Sequence, residues 1–490
     1  MASSTGARAA SFTSRWGMLL AMLGMAVGTG NIWRFPRVAA SNGGGAFLVA
    51  WVTFLLLWSV PLIMVEFAMG KGTRAGPVGA FVRLLGPRFA WMGAWVAFTA
   101  TAIMFYYAVV MGWTIRYFWG SLTGELSGAQ PGALWDSFSY SYGVLGFHAL
   151  ALAMAGFVVW RGVRGIEAAA RVLIPTLFVL VVALAIKALT LPGASRGLDF
   201  LFGFEWSELA DASIWLQALT QNAWDTGAGW GLVLTYAIYM KAREDTVLNS
   251  ALLAFGNNSV SLLAGIMVLC TVFSIMPDAA SEIVGAGNEG LTFIWVPQLF
   301  QQMPGGRFFM SLFFLALVFA AWTSLIAMIE LATRVLVDGG ASRGRALALV
   351  LIFGFALGVP SALDAGVFAN QDFVWGVGLM VSGLFFAFAV IKYGVRRFRE
   401  TFVNTADSDA RVGVVWEWAI YFVVVQALVL IGWWIWQVKD EPQISPFGAG
   451  LMLIEWAAAL AIFLAANRWL ARVGTRDAAR MEETPPAAIP

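Results

Sequence analysis

The chemistry-bearing residues of this chain cluster in two glycine-rich stretches. Gln221-Asn222-Ala223-Trp224-Asp225-Thr226-Gly227-Ala228-Gly229-Trp230-Gly231 sets a carboxylate and three alternating glycines in an apolar surround. A carboxylate at membrane depth is costly, so its expected uses are few: to hold a cation, to bind a substrate ammonium, or to pass a proton. The second stretch, Gly24-Met25-Ala26-Val27-Gly28-Thr29-Gly30-Asn31-Ile32-Trp33-Arg34-Phe35-Pro36, carries its glycines with Asn31 and Arg34. Glycine weakens a helix, and a polar side chain must be desolvated there. Broken helix survives in a bilayer only where its freed backbone groups line a cavity or meet other protein. Val27 to Asn31 therefore reads as an unwound segment near mid-membrane, its carbonyls suited to a cation and its amides to an anion.

Plainer readings exist for both stretches. Gly24 and Gly28 form a small-xxx-small packing pair, but packing does not call for Asn31 or Arg34. Glycines at every second position from 227 to 231 cannot all face one neighbouring helix. A dinucleotide fingerprint is excluded, because no strand precedes the glycines.

The elements that must hold these stretches are membrane helices. The chain has 490 residues, 60% hydrophobic and 12% charged, with 24 Trp and 38 Phe. Apolar runs of about 20 residues, the length a bilayer core requires, recur throughout. Twelve spans are expected near 16–37, 45–70, 88–121, 141–160, 165–191, 211–240, 246–276, 307–337, 344–361, 370–395, 412–438 and 447–470. Basic loops (Lys71, Arg74, Arg83, Arg88; Arg161, Arg164; Lys241, Arg243; Arg343, Arg345; Arg396, Arg397, Arg399) alternate with acidic or mixed ones. The positive-inside rule then puts both termini in the cytoplasm. Cys270, the single cysteine, reads as a buried inert thiol. The first apolar run lacks a cleavage pattern and reads as a retained helix; residues 481–490 read as a disordered tail.

The two glycine-rich stretches fall in spans one and six, each opening a block of five helices. Interrupted segments at corresponding positions of two halves point to a transporter's substrate site. At this point the motifs resemble those of the neurotransmitter:sodium symporters, a family that includes the bacterial leucine transporter. The matching residues are Gly28-x-Gly30-Asn31-x-x-Arg34-Phe35-Pro36 with Asn42-Gly43-Gly44-Gly45-Ala46-Phe47, then Pro61-Leu62 with Glu66, Gly165-Ile166-Glu167, Leu191-Pro192-Gly193, Thr235-Tyr236-Ala237 and Thr323-Ser324. The resemblance covers about residues 14–400, the last two spans matching only as apolar helices. It implies an all-α membrane protein with two inverted five-helix repeats, about 15–192 and 210–400, discontinuous helices one and six, and two further helices at about 410–470, all in one transporter domain over 1–480. It also implies sodium-driven import of a small neutral amino acid or related solute by alternating access, across the inner membrane of a prokaryotic cell.

Residue by residue, the resemblance assigns a first sodium site to the Ala26 carbonyl, Asn31, Asp225 and Asn257. A second draws on carbonyls of Gly24, Val27 and Ala320 with hydroxyls of Thr323 and Ser324, although hydroxyls in membrane helices commonly bond back to their own helix. Substrate contacts would come from Ala26, Gly28, Thr29, Gly30, Tyr107, Gly227 and Ser324, with walls from Ile103, Trp224, Trp230 and Met328. Relatives that carry carboxylate-free monoamines place an Asp at the Gly28 position, so Gly28 leaves room for a substrate carboxylate. Two indoles where relatives often use Phe favour a slim substrate side chain. Arg34 and Asp372 resemble an outer gate pair over the Tyr107 and Trp230 lid. Asp338 resembles an inner gate acid, whose Arg partner is displaced here to Arg8, four residues before Phe12.

Several departures bear on mechanism. Asp225 replaces a usual Thr or Ser, Ser261 stands where many bacterial relatives carry a Glu, and Trp51 replaces the Tyr that helps chloride-dependent relatives hold Cl⁻, while Gln221 remains. Asp225 is therefore expected to supply a fixed negative charge without chloride; its alternatives are a substrate ammonium or a proton. Glu66 is expected to cap amides of the broken sixth helix. Glu330 and Arg334, four apart, are expected to pair. Glu455 has no evident partner, and His148, the single histidine, reads as structural. No nucleophile, metal cluster or acid–base pair points to an enzyme, and nothing points to nucleic acid. A non-transporting amino-acid sensor on the same fold stays open, as does oligomeric state.

Overall fold

A computed structural model describes residues 11–128, 130–406 and 408–474. Among these the chain is helical, with nine uninterrupted helices long and apolar enough to cross a membrane. They are span two (Gly45–Thr73), three (Pro87–Thr123), four (Gly143–Trp160), five (Gly162–Leu189), seven (Thr246–Ile275), eight (Gly306–Asp338), nine (Arg343–Leu363), ten (Ala365–Tyr393) and eleven (Val414–Gln437). Span one is a bent pair, Arg15–Ala26 and Gly30–Ser41, turned by 53°; span twelve is another, Ala449–Ala465 and Asn467–Val473. Span six consists of two shorter helices, Ala212–Asp225 and Leu232–Ala237. Twelve spans result, with discontinuous helices at one and six. Arg8 and the tail at 481–490 lie outside the described residues.

Local sequence explains the breaks. Val27 leaves helical geometry at φ −72°, ψ 103°. In span six Gly227, Gly229 and Gly231 all have positive φ (74°, 87° and 77°), a backbone region that residues with a Cβ enter at a cost. Span two crosses unbroken, but Leu55–Ser59 widens into a π-helical turn just before Pro61.

The connection between spans seven and eight is the part that composition read only as an acidic loop. Residues 280–301 form short helices that fold onto the bundle: Phe293 stacks on Trp135 with ring centroids 4.9 Å apart and meets Trp33 edge-on at 6.1 Å. Arg37 donates to Asn288 at 2.7 Å, tying the same segment to span one. Cys270 is buried. His148 is buried as well, its Nε2 3.3 Å from the Phe355 carbonyl.

Candidate functional site

The break in span one redirects its own hydrogen bonds. In a continuous helix the Gly28 amide would bond to the Gly24 carbonyl; here it donates to Asn31 Oδ1 at 2.8 Å. The Thr29 amide, which would bond to Met25, donates instead to the Tyr107 hydroxyl at 3.1 Å, and the Thr29 hydroxyl approaches the same oxygen at 3.2 Å. Carbonyls at the end of the first half-helix are thereby left without helical partners. Gly28 must stay small: a Cβ there would sit 2.9 Å from Ser324 Oγ and 3.0 Å from Tyr107 Oη.

The break in span six is held from span two. Glu66, fully buried, accepts from the amides of Gly229 at 2.7 Å and Leu234 at 3.1 Å, as expected. Charge-assisted acceptance of this kind offsets the unpaired amides of interrupted helix.

Asp225 ends the first half of span six. Its Oδ2 accepts from Gln221 Nε2 at 3.1 Å and Ser261 Oγ at 3.2 Å, while its Oδ1 is buried with no hydrogen-bond partner. Asn31 reaches into the same group, its Nδ2 donating to Asn257 Oδ1 at 3.0 Å and Ser261 Oγ at 2.8 Å. Asn31, Asn257, Ser261 and Asp225 thus form one buried polar network joined at Ser261 Oγ, in which Asn31 Oδ1 and Asn257 Oδ1 already accept hydrogen bonds and Asp225 Oδ1 does not. A dry set of oxygens with one negative charge fits a hard monovalent cation.

The second expected cation site is less open. Ser324 Oγ lies 3.4 Å from the carbonyls of Met25 and Val27, so it meets the span-one break. The Thr323 hydroxyl bonds back to Phe319 at 3.0 Å and Ala320 at 3.1 Å, the alternative weighed for it. Gly24 lies close by, since a Cβ there would sit 3.2 Å from Thr323 Cβ.

One chamber joins these parts, with an empty volume of about 760 Å³ including its mouth. Ala26, Gly28, Thr29, Gly30, Ile103, Tyr107, Trp224, Gly227, Trp230, Ser324 and Met328, the expected substrate residues, all line it, as do Asn31, Asp225, Arg34 and Asp372. Gly24, Val27, Asn257, Ala320, Thr323 and Asp338 do not. Tyr106, Phe368, Asn288 and Glu289 also face it, and sequence reasoning missed them. Asn288 and Glu289 arrive on a loop that folds back from outside, for which no local motif exists; Tyr106 adjoins Tyr107 and was the one with a signal.

Three expectations meet contacts that the motifs did not show. Arg34 and Asp372 line the same chamber but form no ion pair within 4.0 Å; the Arg34 guanidinium lies over the Trp224 indole, 4.8 Å from its centroid. Glu330 does not pair with Arg334. It accepts from Arg343 at 2.5 Å and from the Tyr239 hydroxyl at 2.6 Å, while Arg334 pairs with Asp338 at 2.6 Å. Helical spacing allowed either partner for Arg334, and burial of Glu330 between spans favoured the cation arriving from span nine. Third, Trp224, one of the two indoles behind the slim-pocket expectation, puts its extra bulk into a notch at Gly376, where a Cβ would lie 1.8 Å from Trp224 Cζ2, while Trp230 lines the chamber. Glu455 is also less isolated than its sequence context implied, with Gln371 Nε2 at 3.5 Å.

The opposite end of the bundle, where span one begins, is held by other contacts. Asp338 accepts from the Gly76 amide at 2.7 Å. Phe12 packs edge-on against Tyr236 and Tyr239, each at 6.3 Å. Glu167 gathers the amide and hydroxyl of Thr13, both at 2.7 Å, those of Ser14, both at 3.2 Å, and Arg171.

Two interrupted helices facing one chamber, in an otherwise continuous helical bundle, define a broken-helix membrane transporter. The comparisons with known proteins are specific. The profile of the sodium:neurotransmitter symporter family matches residues 9–140 and 136–471, so the likeness extends through the last two spans rather than stopping near 400. A Bacillus subtilis protein described as an uncharacterised sodium-dependent transporter is 30% identical over 86% of this chain and 96% of its own length. A human sodium- and chloride-dependent neutral and basic amino acid transporter is 26% identical over 90% of the chain and 81% of its own. The crystal structure of MhsT in complex with L-phenylalanine superposes with a TM-score of 0.76 at 30% identity, covering 86% of this chain and 99% of that one. This chain belongs to the sodium:neurotransmitter symporter family, a group of multi-pass sodium-dependent transporters and not enzymes.

Proposed function

We propose that the protein imports a neutral amino acid with sodium, without chloride, by alternating access between the two sides of the membrane. The observation that carries this reading is the divided carboxylate of Asp225. Its Oδ2 takes the donors Gln221 and Ser261, of the kind that hold an anion in chloride-dependent relatives, while Oδ1 is buried without a hydrogen-bond partner in a network that Ser261 extends to Asn31 and Asn257. One side chain thus supplies the negative charge and a cation ligand together. A second sodium uses the carbonyls of Gly24, Val27 and Ala320 with Thr323 and Ser324, Thr323 turning its hydroxyl off its own helix. The amino-acid assignment rests on the Gly28 to Gly30 backbone beside the Tyr107 hydroxyl, a partner for a substrate carboxylate, and on the L-phenylalanine held by the related structure. The alternating basic loops put both termini in the cytoplasm. Proteoliposomes carrying the purified protein should exchange labelled neutral amino acids in sodium and not in choline, with the rate unchanged when gluconate replaces chloride. Binding without exchange would make it a sensor; loss of uptake in gluconate would remove the role given to Asp225.

A further inference from the structure

Span two contains a deformation that the transport cycle described so far does not use. Proline lacks a backbone N–H and its ring collides with the carbonyl four residues earlier. For Pro61 that carbonyl belongs to Leu57, and the helix answers with the π-helical turn Leu55–Ser59. Wide turns of this kind frequently mark functional positions. The Leu57 carbonyl is not left bare: Gln426, on span eleven, donates to it at 3.0 Å. Gln426 is almost fully buried although its helix lies outside the two blocks of five.

The same turn presents Ser59 to the end of the first half of span six. Ser59 Oγ donates to Asn222 Oδ1 at 3.2 Å, and Thr226 Oγ1 approaches Ser59 Oγ at 3.0 Å. Asn222 Nδ2 then donates to the Trp51 carbonyl at 2.9 Å, again on span two. Thr226 Oγ1 also lies 2.7 Å from the Asn222 carbonyl, so the two hydroxyl protons of Ser59 and Thr226 are shared among three short contacts at the last helical turn. Ser59, Asn222 and Thr226 are all fully buried. Asp225 sits between Asn222 and Thr226 where the helix stops, its carboxylate held by Gln221 and Ser261 and its backbone placed by the turn that the flanking pair closes.

We propose that Ser59 is a positioning residue for the cation site: displayed by the Pro61-induced turn and kept in register by Gln426 of span eleven, it holds Asn222 and Thr226 so that the carboxylate of Asp225, between them, keeps its place beside Gln221 and Ser261. The proposal rests on reading Asp225 as a cation ligand. Span eleven, by this account, tunes sodium affinity without touching the ion. Partners that orient a metal ligand typically change affinity 10- to 100-fold when lost, whereas residues further along a contact chain have smaller effects.

The test uses the full-length protein in detergent and needs no substrate: sodium is titrated against choline at constant ionic strength, and the rise in melting temperature gives the half-saturating concentration. Thr226→Val keeps the shape and removes the hydroxyl, and should raise that concentration about tenfold; Thr226→Ser, which keeps the hydroxyl, should restore it. Ser59→Ala should match Thr226→Val, and the double variant should be no worse than either single one. Gln426→Leu should shift the titration the same way, about two- to fivefold. Each titration is read as the rise above that variant's own melting temperature in choline, so a loss of stability by itself does not count as a loss of sodium affinity. Asp225→Asn is the reference. If it leaves the sodium titration unchanged, the cation reading itself fails. If it shifts the titration while Ser59→Ala, Thr226→Val and Gln426→Leu do not, the positioning role is overturned. Equal weakening by Thr226→Val and Thr226→Ser also overturns it.

Discussion

Ser261 donates to Asp225 at 3.2 Å through one carboxylate oxygen, while the other oxygen is buried without a partner. The separation of the two oxygens into an anion-like and a ligand-like role makes a prediction. Asp225→Ser removes the fixed charge but leaves a hydroxyl beside Gln221 and Ser261, a set suited to a bound anion. Uptake by this variant should become dependent on external chloride, and its sodium half-saturation should rise about tenfold. Chloride-free uptake by the variant equal to the parent's would refute the charge argument.

The chamber floor depends on Gly28 having no side chain. Gly28→Ala would drive a methyl against Ser324 Oγ and Tyr107 Oη, at 2.9 and 3.0 Å from its Cβ. Overpacking of this size costs about 1–3 kcal/mol. Amino-acid affinity should fall by about tenfold or more, measured as KM for uptake, with protein yield unchanged. An unaltered KM would mean that the substrate lies elsewhere.

Trp224 and Gly376 are complementary in shape. Gly376→Ala should push the indole out of its notch and into the chamber, weakening uptake of bulky amino acids more than that of alanine or glycine. Trp224→Phe should partly restore the loss in the double variant. Competition assays across amino-acid sizes check this, and a uniform loss at all sizes would contradict it.

Glu66 holds two amides of the interrupted sixth helix, at 2.7 and 3.1 Å. A buried donor stripped of its acceptor costs about 1–3 kcal/mol. Glu66→Ala should therefore lower the melting temperature in sodium-free buffer and flatten the sodium-induced rise. Glu66→Gln retains one acceptor and should fall between. Parent-like melting of Glu66→Ala would show that the amides find other partners.

Glu167 binds the chain where span one begins, through Thr13 and Ser14. Glu167→Gln keeps the shape and gives up the charge, so the bonds weaken toward the neutral kind. Amide hydrogen exchange over residues 15–26 should quicken, with no change in span five itself. Unchanged exchange there would show that Glu167 does not hold the start of span one.

What the sequence determined by itself was whatever is encoded locally. Apolar run length set the spans, because a bilayer fixes the number of residues needed to cross it. Glycine spacing at 24–30 and 227–231 marked the two breaks, because backbone freedom is a property of the residue at that position. Motifs around Gly28, Asn31 and Glu66 then carried the family resemblance, and the expected substrate residues do share one chamber.

The tertiary structure decided partnerships between spans. Glu330 chose Arg343 over Arg334, Arg34 lay over Trp224 without an ion pair to Asp372, and Thr323 bonded back to its own helix. Asn288 and Glu289 reached the chamber on a returning loop. Gly376 relieved the bulk of Trp224, and Gln426 met a carbonyl freed by a proline in span two. Each of these depends on distances between residues far apart in the chain, which helix periodicity and composition do not record; only the packing of one span on another fixes them.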